Sequence, residues 1–142
     1  MIKAIETDYK GNHMRSRSEA RWATFFDYLG VQWKYEPEHF DLGLKNPGFN
    51  HEDAEELRDM YEDLYDEYEI RREINWKKRE RLFYLPDFWL PEFKHWVEVK
   101  GKAPNSEEIR KARMLAYRTG YPLATDLRAF AVLAFPARTE GL

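Results

Sequence analysis

The sequence predicts a mixed α/β (α+β) fold, and three observations carry that expectation. Apolar residues recur at helical spacing in capped segments, stretches rich in β-formers separate them, and no internal repeat or Ser/Gly-rich linker interrupts the order. The expected order is helix, strand, charged helical insertion, strand hairpin, helix, strand. A length of 142 residues with 43% apolar and 16% aromatic content suffices for one core and argues against disorder, although 35% of the residues are charged. Residues 1–142 are therefore expected to form one domain, with residues 50–81 as an insertion within it.

The first helix is expected over residues 16–29, where Trp22, Phe25, Phe26 and Leu29 recur at helical spacing and Gly30 stands where a C′ glycine belongs. VQWKYEPEHFDLG alternates and reads as one or two strands interrupted at Pro37, and Asn46, Pro47 and Gly48 mark a turn. Residues 49–85 contain neither Gly nor Pro, and Ala54, Leu57, Met60, Tyr61, Leu64, Tyr65 and Tyr68 share one sector of a helical wheel. Asn50 is a candidate cap for this helix. Ile70 and Ile74 lie on another side, which predicts a bend near residue 70 or a second helix.

RLFYLPDFWLPEFKHWVEVKG reads as two aromatic-rich strands joined by a turn at residues 91–94. Asn105, Ser106 and Glu108 resemble a helix start, Ile109, Ala112, Leu115 and Ala116 form its inward stripe, and Gly120 with Pro122 stops it. LRAFAVLAF supplies a final apolar strand.

Composition removes several functional classes. No apolar run approaches the ~20 residues that span a bilayer, and MIKAIETDYK carries charges where a signal peptide needs an apolar stretch. A cytoplasmic protein is expected. With no cysteine there is no thiolate nucleophile, disulfide or Cys-based zinc site, and the four histidines show no HExxH spacing. Any metal must be held mostly by oxygen.

The net charge of −3 conceals an uneven distribution. Segment 51–69 holds ten acidic residues and one basic one, a local charge of −9, so the remainder carries +6. A basic body with an acidic appendage is compatible with a polyanionic partner.

The chemistry concentrates in YLPDFWLPEFKHWVEVKG. Glu98 and Lys100 are two apart on the expected strand and so share a face, while Val97 and Val99 face the opposite layer. The hairpin brings Asp87 beside Glu98. Two facing carboxylates repel unless one is protonated or a cation lies between them. Magnesium accepts one or two carboxylates, keeps waters and takes phosphate oxygens, which suits phosphodiester hydrolysis. Lys100 would orient the attacking water and neutralise charge on the phosphorane.

Pro86-Asp87 followed by Glu98-Val99-Lys100 resembles the PD-(D/E)XK nuclease superfamily, and the YEP, YLPDFWLP and WVEVKG strings are similar to small phage-type endonucleases. The resemblance covers residues 15–46 and 82 to about 135 and leaves the insertion outside it. It implies a restriction-endonuclease-like core, a central mixed sheet flanked by helices. Asp87, Glu98 and the Val99 carbonyl would ligate Mg2+ or Mn2+, and Lys100 would be the catalytic lysine. Many members carry a further acidic residue on the first helix, the position of Glu19. The wheel independently places Glu19 with Ala23 and Phe26 toward the sheet, although Ser16 and Glu19 are also spaced as a capping box.

Arg15, Arg17 and Arg21 around the first helix, and Lys102, Arg110, Lys111 and Arg113 around the later one, are candidate DNA phosphate contacts as well as ordinary solvated helix residues. The leading expectation is a Mg2+- or Mn2+-dependent endonuclease acting on DNA. The alternative is a nuclease-fold module that binds nucleic acid or protein without cleaving. A homodimer would supply two active sites and bury the tyrosines of the arm, and segment 51–69 is a candidate surface for a protein partner.

Overall fold

The computed structural model describes residues 5–125 and the backbone of residues 132–134. In chain order the elements are β1 (Thr7–Tyr9), β2 (Asn12–Met14), α1 (Arg17–Leu29), β3 (Lys34–Tyr35), β4 (Phe40–Leu44), α2 (His51–Tyr61), α3 (Glu67–Arg79), β5 (Arg81–Tyr84), β6 (Phe88–Leu90), β7 (His95–Glu98), α4 (Ser106–Thr119), β8 (Leu123–Thr125) and β9 (Val132–Ala134). The class is α+β. The chain divides into two compact units, Met1–Phe40 with Tyr84–Leu142, and Asp41–Phe83. The second takes in the whole of the expected 50–81 insertion and extends it on each side.

In the first unit, local signals set both helices. Ser16 and Glu19 form a capping box at the start of α1, and Gly30 ends it in the left-handed region at φ +72°. Asn105 and Glu108 form the same box before α4, which Gly120 ends at φ +76°. Between them runs a five-stranded sheet of order β3-β6-β7-β8-β9, in which β7 and β8 are parallel and the other pairs antiparallel. Joining two parallel neighbours requires a crossover, and α4 is that crossover.

Side-chain alternation along β7 gives the sheet two buried faces. Val97 joins Met14, Ala20, Ala23, Phe26, Phe88 and Leu90, so α1 covers one face. Trp96 joins Ala112, Leu115, Ala116 and Leu123, so α4 covers the other. Fully burying a side chain the size of Val97, Phe88, Met14 or Leu115 contributes roughly 1.5–3 kcal/mol. Phe25 and Leu29, expected in the core, are about half exposed, because α1 presents the small Ala20 and Ala23 with Phe26 to the sheet instead.

The expected hairpin is in fact three strands. β6 and β7 pair through the turn at residues 91–94, whereas β5 pairs with β4 in a separate two-stranded sheet. Strand β8 and the β1-β2 hairpin were not expected. The backbone of β9 falls within the predicted terminal strand, of which residues 127–131 and 135 lie outside the described residues.

In the second unit, α2 and α3 close on Ala54, Ile70 and Ile74, with Phe49, Leu57 and Tyr61 against them. The predicted stripe is therefore corrected: Met60, Leu64, Tyr65 and Tyr68 are exposed. The chain leaves the helix at residues 62–66, and Asp66 caps α3 afresh, which resets the helical phase and turns Ile70 and Ile74 inward. Among the described residues no helix is long and apolar enough to cross a membrane.

Candidate active site

Sheet register, more than loop geometry, assembles the site. Phe88 pairs with Val97, so Asp87, one residue before β6, faces Glu98 at the end of β7. The Val99 N–H donates to Asp87 Oδ2 at 2.8 Å, and the Glu36 N–H donates to the Asp87 carbonyl at 2.8 Å. Asp87 is thus fixed from both neighbouring strands. Thr125, at the end of β8, is the register partner of Glu98.

Glu98 is held by the Tyr84 hydroxyl, which donates to its Oε2 at 2.7 Å. Lys100 Nζ lies 3.8 Å from Glu98 Oε1. The expectation of a shared strand face needs correction here, because β7 ends at Glu98 and Lys100 stands two residues beyond it. The Lys100 ammonium also donates to Glu108, whose other oxygen accepts the Asn105 N–H of the α4 cap at 3.2 Å. Lys100 is therefore tied to the first turn of α4, and its hydrogen bond, with that of the Asn105 N–H, holds the Glu108 carboxyl below the usual range.

Glu19 and Asp87 are the two buried carboxyl groups among the described residues, at 6% and 7% exposure. Glu19 Oε2 accepts the Arg15 N–H at 2.9 Å, the Ser16 N–H at 3.2 Å and the Tyr35 hydroxyl at 2.8 Å. The capping box and the inward placement of Glu19 coexist, since the same carboxylate acts on Asp87.

Burial, then the charge of Glu98, pushes the Asp87 carboxyl up to about 9, with Glu19 adding to the rise and only the Val99 N–H opposing it. Burial likewise raises Glu98, against Tyr84, Lys100 and the Asp87 amide. Burial raises the phenols of Tyr84 and Tyr35; Glu98 adds to the rise of Tyr84, and Glu36 and Glu19 add to that of Tyr35 against the opposing Arg15 N–H. Without a metal ion, Asp87 is therefore biased toward its protonated form at neutral pH. Three acidic groups so placed form an electrostatic demand for positive charge that one ammonium does not meet.

The donor set is all oxygen and carries the charge that a hard divalent ion requires. Among the described residues, no three Asp, Glu, His or Cys side chains converge on a point that could hold one ion. Magnesium needs only one or two carboxylates, with waters completing its shell, so the Asp87 and Glu98 pair with the Val99 backbone fits it chemically.

The basic candidates are spread around this centre. Arg15 is engaged by Glu36, Nε to Oε1 at 3.1 Å and Nη2 to Oε2 at 3.2 Å, and Lys111 lies 3.9 Å from Glu107. Arg17, Arg21, Lys102, Arg110 and Arg113 are exposed. Sequence reasoning missed Tyr84, Tyr35, Glu108 and Thr125. Tyr84 stands three residues before Asp87 and is the only one whose spacing to the motif could have marked it. The chain has no significant match among models of known protein families, characterised proteins or solved structures.

Proposed function

We propose that this chain is a metal-dependent nuclease that hydrolyses phosphodiester bonds in DNA, built on a restriction-endonuclease-like core. The observation that carries this reading is the meeting of Glu19, Asp87, Glu98 and Lys100, from α1, the entry to β6 and the end of β7, with Asp87 raised to about 9. Carboxyl groups displaced this far by burial and a neighbouring acid cluster at functional sites. Asp87, Glu98 and the Val99 carbonyl are the groups that would hold magnesium or manganese, which when bound would supply Lewis acidity at the phosphoryl oxygens, while Glu19 adds its negative charge beside Asp87.

The residues of the chain do the rest. Lys100 offers its ammonium to the charge that develops on the phosphorane, and Glu108 sets where that ammonium stands. Tyr84 and the Val99 N–H orient Glu98 and Asp87. Arg17, Arg21, Lys102 and Arg113, with the exposed Arg110, are the basic side chains that would neutralise phosphates of the bound strand.

Incubation with supercoiled, linear, branched and single-stranded DNA in magnesium or manganese tests this. Metal-dependent cleavage that disappears in Asp87→Ala and Lys100→Ala supports the proposal, and cleavage unchanged in both contradicts it. Salt-sensitive DNA binding that survives Asp87→Ala, with no cleavage by the wild type, would establish the non-cleaving module instead.

Tyr84→Phe should behave in a graded way. Removing the phenol deprives a largely buried carboxylate of a donor and raises the Glu98 pKa further. Apparent affinity for manganese, read from cleavage rate against metal concentration, should fall about 10- to 100-fold. Raising the pH should recover part of the loss. Wild-type metal dependence in Tyr84→Phe would remove this residue from the site.

A further inference from the structure

We propose that α3 carries a second binding site, for single-stranded nucleic acid, in which a base stacks on the Trp76 indole and Arg72 and Arg79 hold the flanking phosphates. This goes beyond the hydrolytic reading and does not depend on it. Positions 72, 76 and 79 are spaced i, i+4 and i+7, so the three side chains share one helix face, with the arginines roughly 10 Å apart along the axis. They line a common cavity of about 480 Å3, together with Glu73 and Asn75.

The opposite face of α3 buries Ile70 and Ile74, which leaves the Trp76 face unused by the core of this unit. Trp76 is 59% exposed, more than packing would leave to so large an apolar ring. Among the described residues no ring stacks on it, and neither Arg72 nor Arg79 has an ion-pair partner, whereas the adjacent Arg71 is bound by Glu67 at 3.0 Å. Residues 71–79 hold five basic side chains and one acidic one, the reverse of the acidic segment before them.

A flat, solvated ring between two cations matches an unpaired base between two phosphates. It does not match a duplex, whose bases are already stacked on one another. The neutral ring, rather than the charge alone, is what selects the single strand, because duplex phosphates would satisfy the arginines equally well.

The test is fluorescence anisotropy of a labelled oligo(dT) with the full chain in EDTA, where no cleavage is measured and failure of the nuclease reading would not register. Trp76→Ala should weaken binding at least about fivefold and Trp76→Phe much less, since stacking is retained. The Arg72→Ala, Arg79→Ala pair should flatten the salt dependence by about 1.4 in log–log slope, the value for two single-strand phosphates. A duplex of equal length should be indifferent to Trp76→Ala. Each substituted side chain is exposed, so circular dichroism and melting should remain those of the wild type. Oligo(dT) binding unchanged by Trp76→Ala, or duplex binding weakened as much as single-strand binding, would overturn the proposal.

Discussion

Asp87→Asn should raise the melting temperature of the metal-free protein at pH 8 and leave it nearly unchanged at pH 4. The folded pKa of Asp87, about 9, lies far above the ordinary 3.8, so between those values the native state holds a proton that the unfolded chain has lost. Stability from this group is fully present below about pH 4 and is lost as pH rises toward 9, by at most about 1.4 kcal/mol per pH unit. Asparagine resembles the protonated acid: its carbonyl can accept the Val99 N–H, and its amide can donate where the proton stood. Freed of that titration, the variant should melt on the order of 10 °C higher at pH 8. A melting difference of the same size at pH 4 and pH 8 would show that Asp87 does not titrate as the geometry demands. Functional sites often hold such stability in reserve.

The largest effect on activity should come from Lys100 and the acidic pair. Lys100→Ala removes the ammonium beside Glu98 and should slow hydrolysis at least about 10²-fold, the scale on which loss of a preorganised charge-stabilising donor is felt. Asp87→Ala should reduce hydrolysis to background. The two variants separate in the metal requirement: Lys100→Ala should still respond to manganese, whereas Asp87→Ala should not. Supercoiled DNA nicking across a manganese series distinguishes them. Lys100→Ala at wild-type rate would assign the lysine only to its bridge with Glu108.

The placement of Asp87 against Glu98 was legible in the sequence, because strand alternation and antiparallel pairing leave little freedom once a turn at residues 91–94 is recognised. The capped helices around the site were legible for the same reason, since Ser16 with Glu19, Asn105 with Glu108, and the two terminal glycines are local signals. What Glu108 does beyond its cap was hidden, since its contact with Lys100 depends on where the crossover helix begins in space. Strand β8 is three residues long, too short for alternation to register.

The break between α2 and α3 was obscured by composition. Asp66 and Glu69 form a real capping box, yet Asp53 with Glu56 and Asp59 with Glu62 repeat that spacing within the same acid-rich segment, and no Gly or Pro marks the turn. A wheel drawn through the break then grouped Met60, Leu64, Tyr65 and Tyr68 with residues they do not join. In α1, helical spacing alone does not rank Phe25 below Ala20 and Ala23, but close approach of helix to sheet favours the alanines there, and Phe25 is displaced to the surface.

Titration calorimetry of manganese into the metal-free protein at pH 7.5, repeated in two buffers of different ionisation enthalpy, tests the central claim most directly. If Asp87 and Glu98 share a cation, binding must expel a proton from Asp87, whose carboxyl is raised to about 9, and about one proton should be released per ion. The release should vanish in Asp87→Asn. Absence of binding, or binding that releases the same number of protons from Asp87→Asn as from the wild type, would contradict the account.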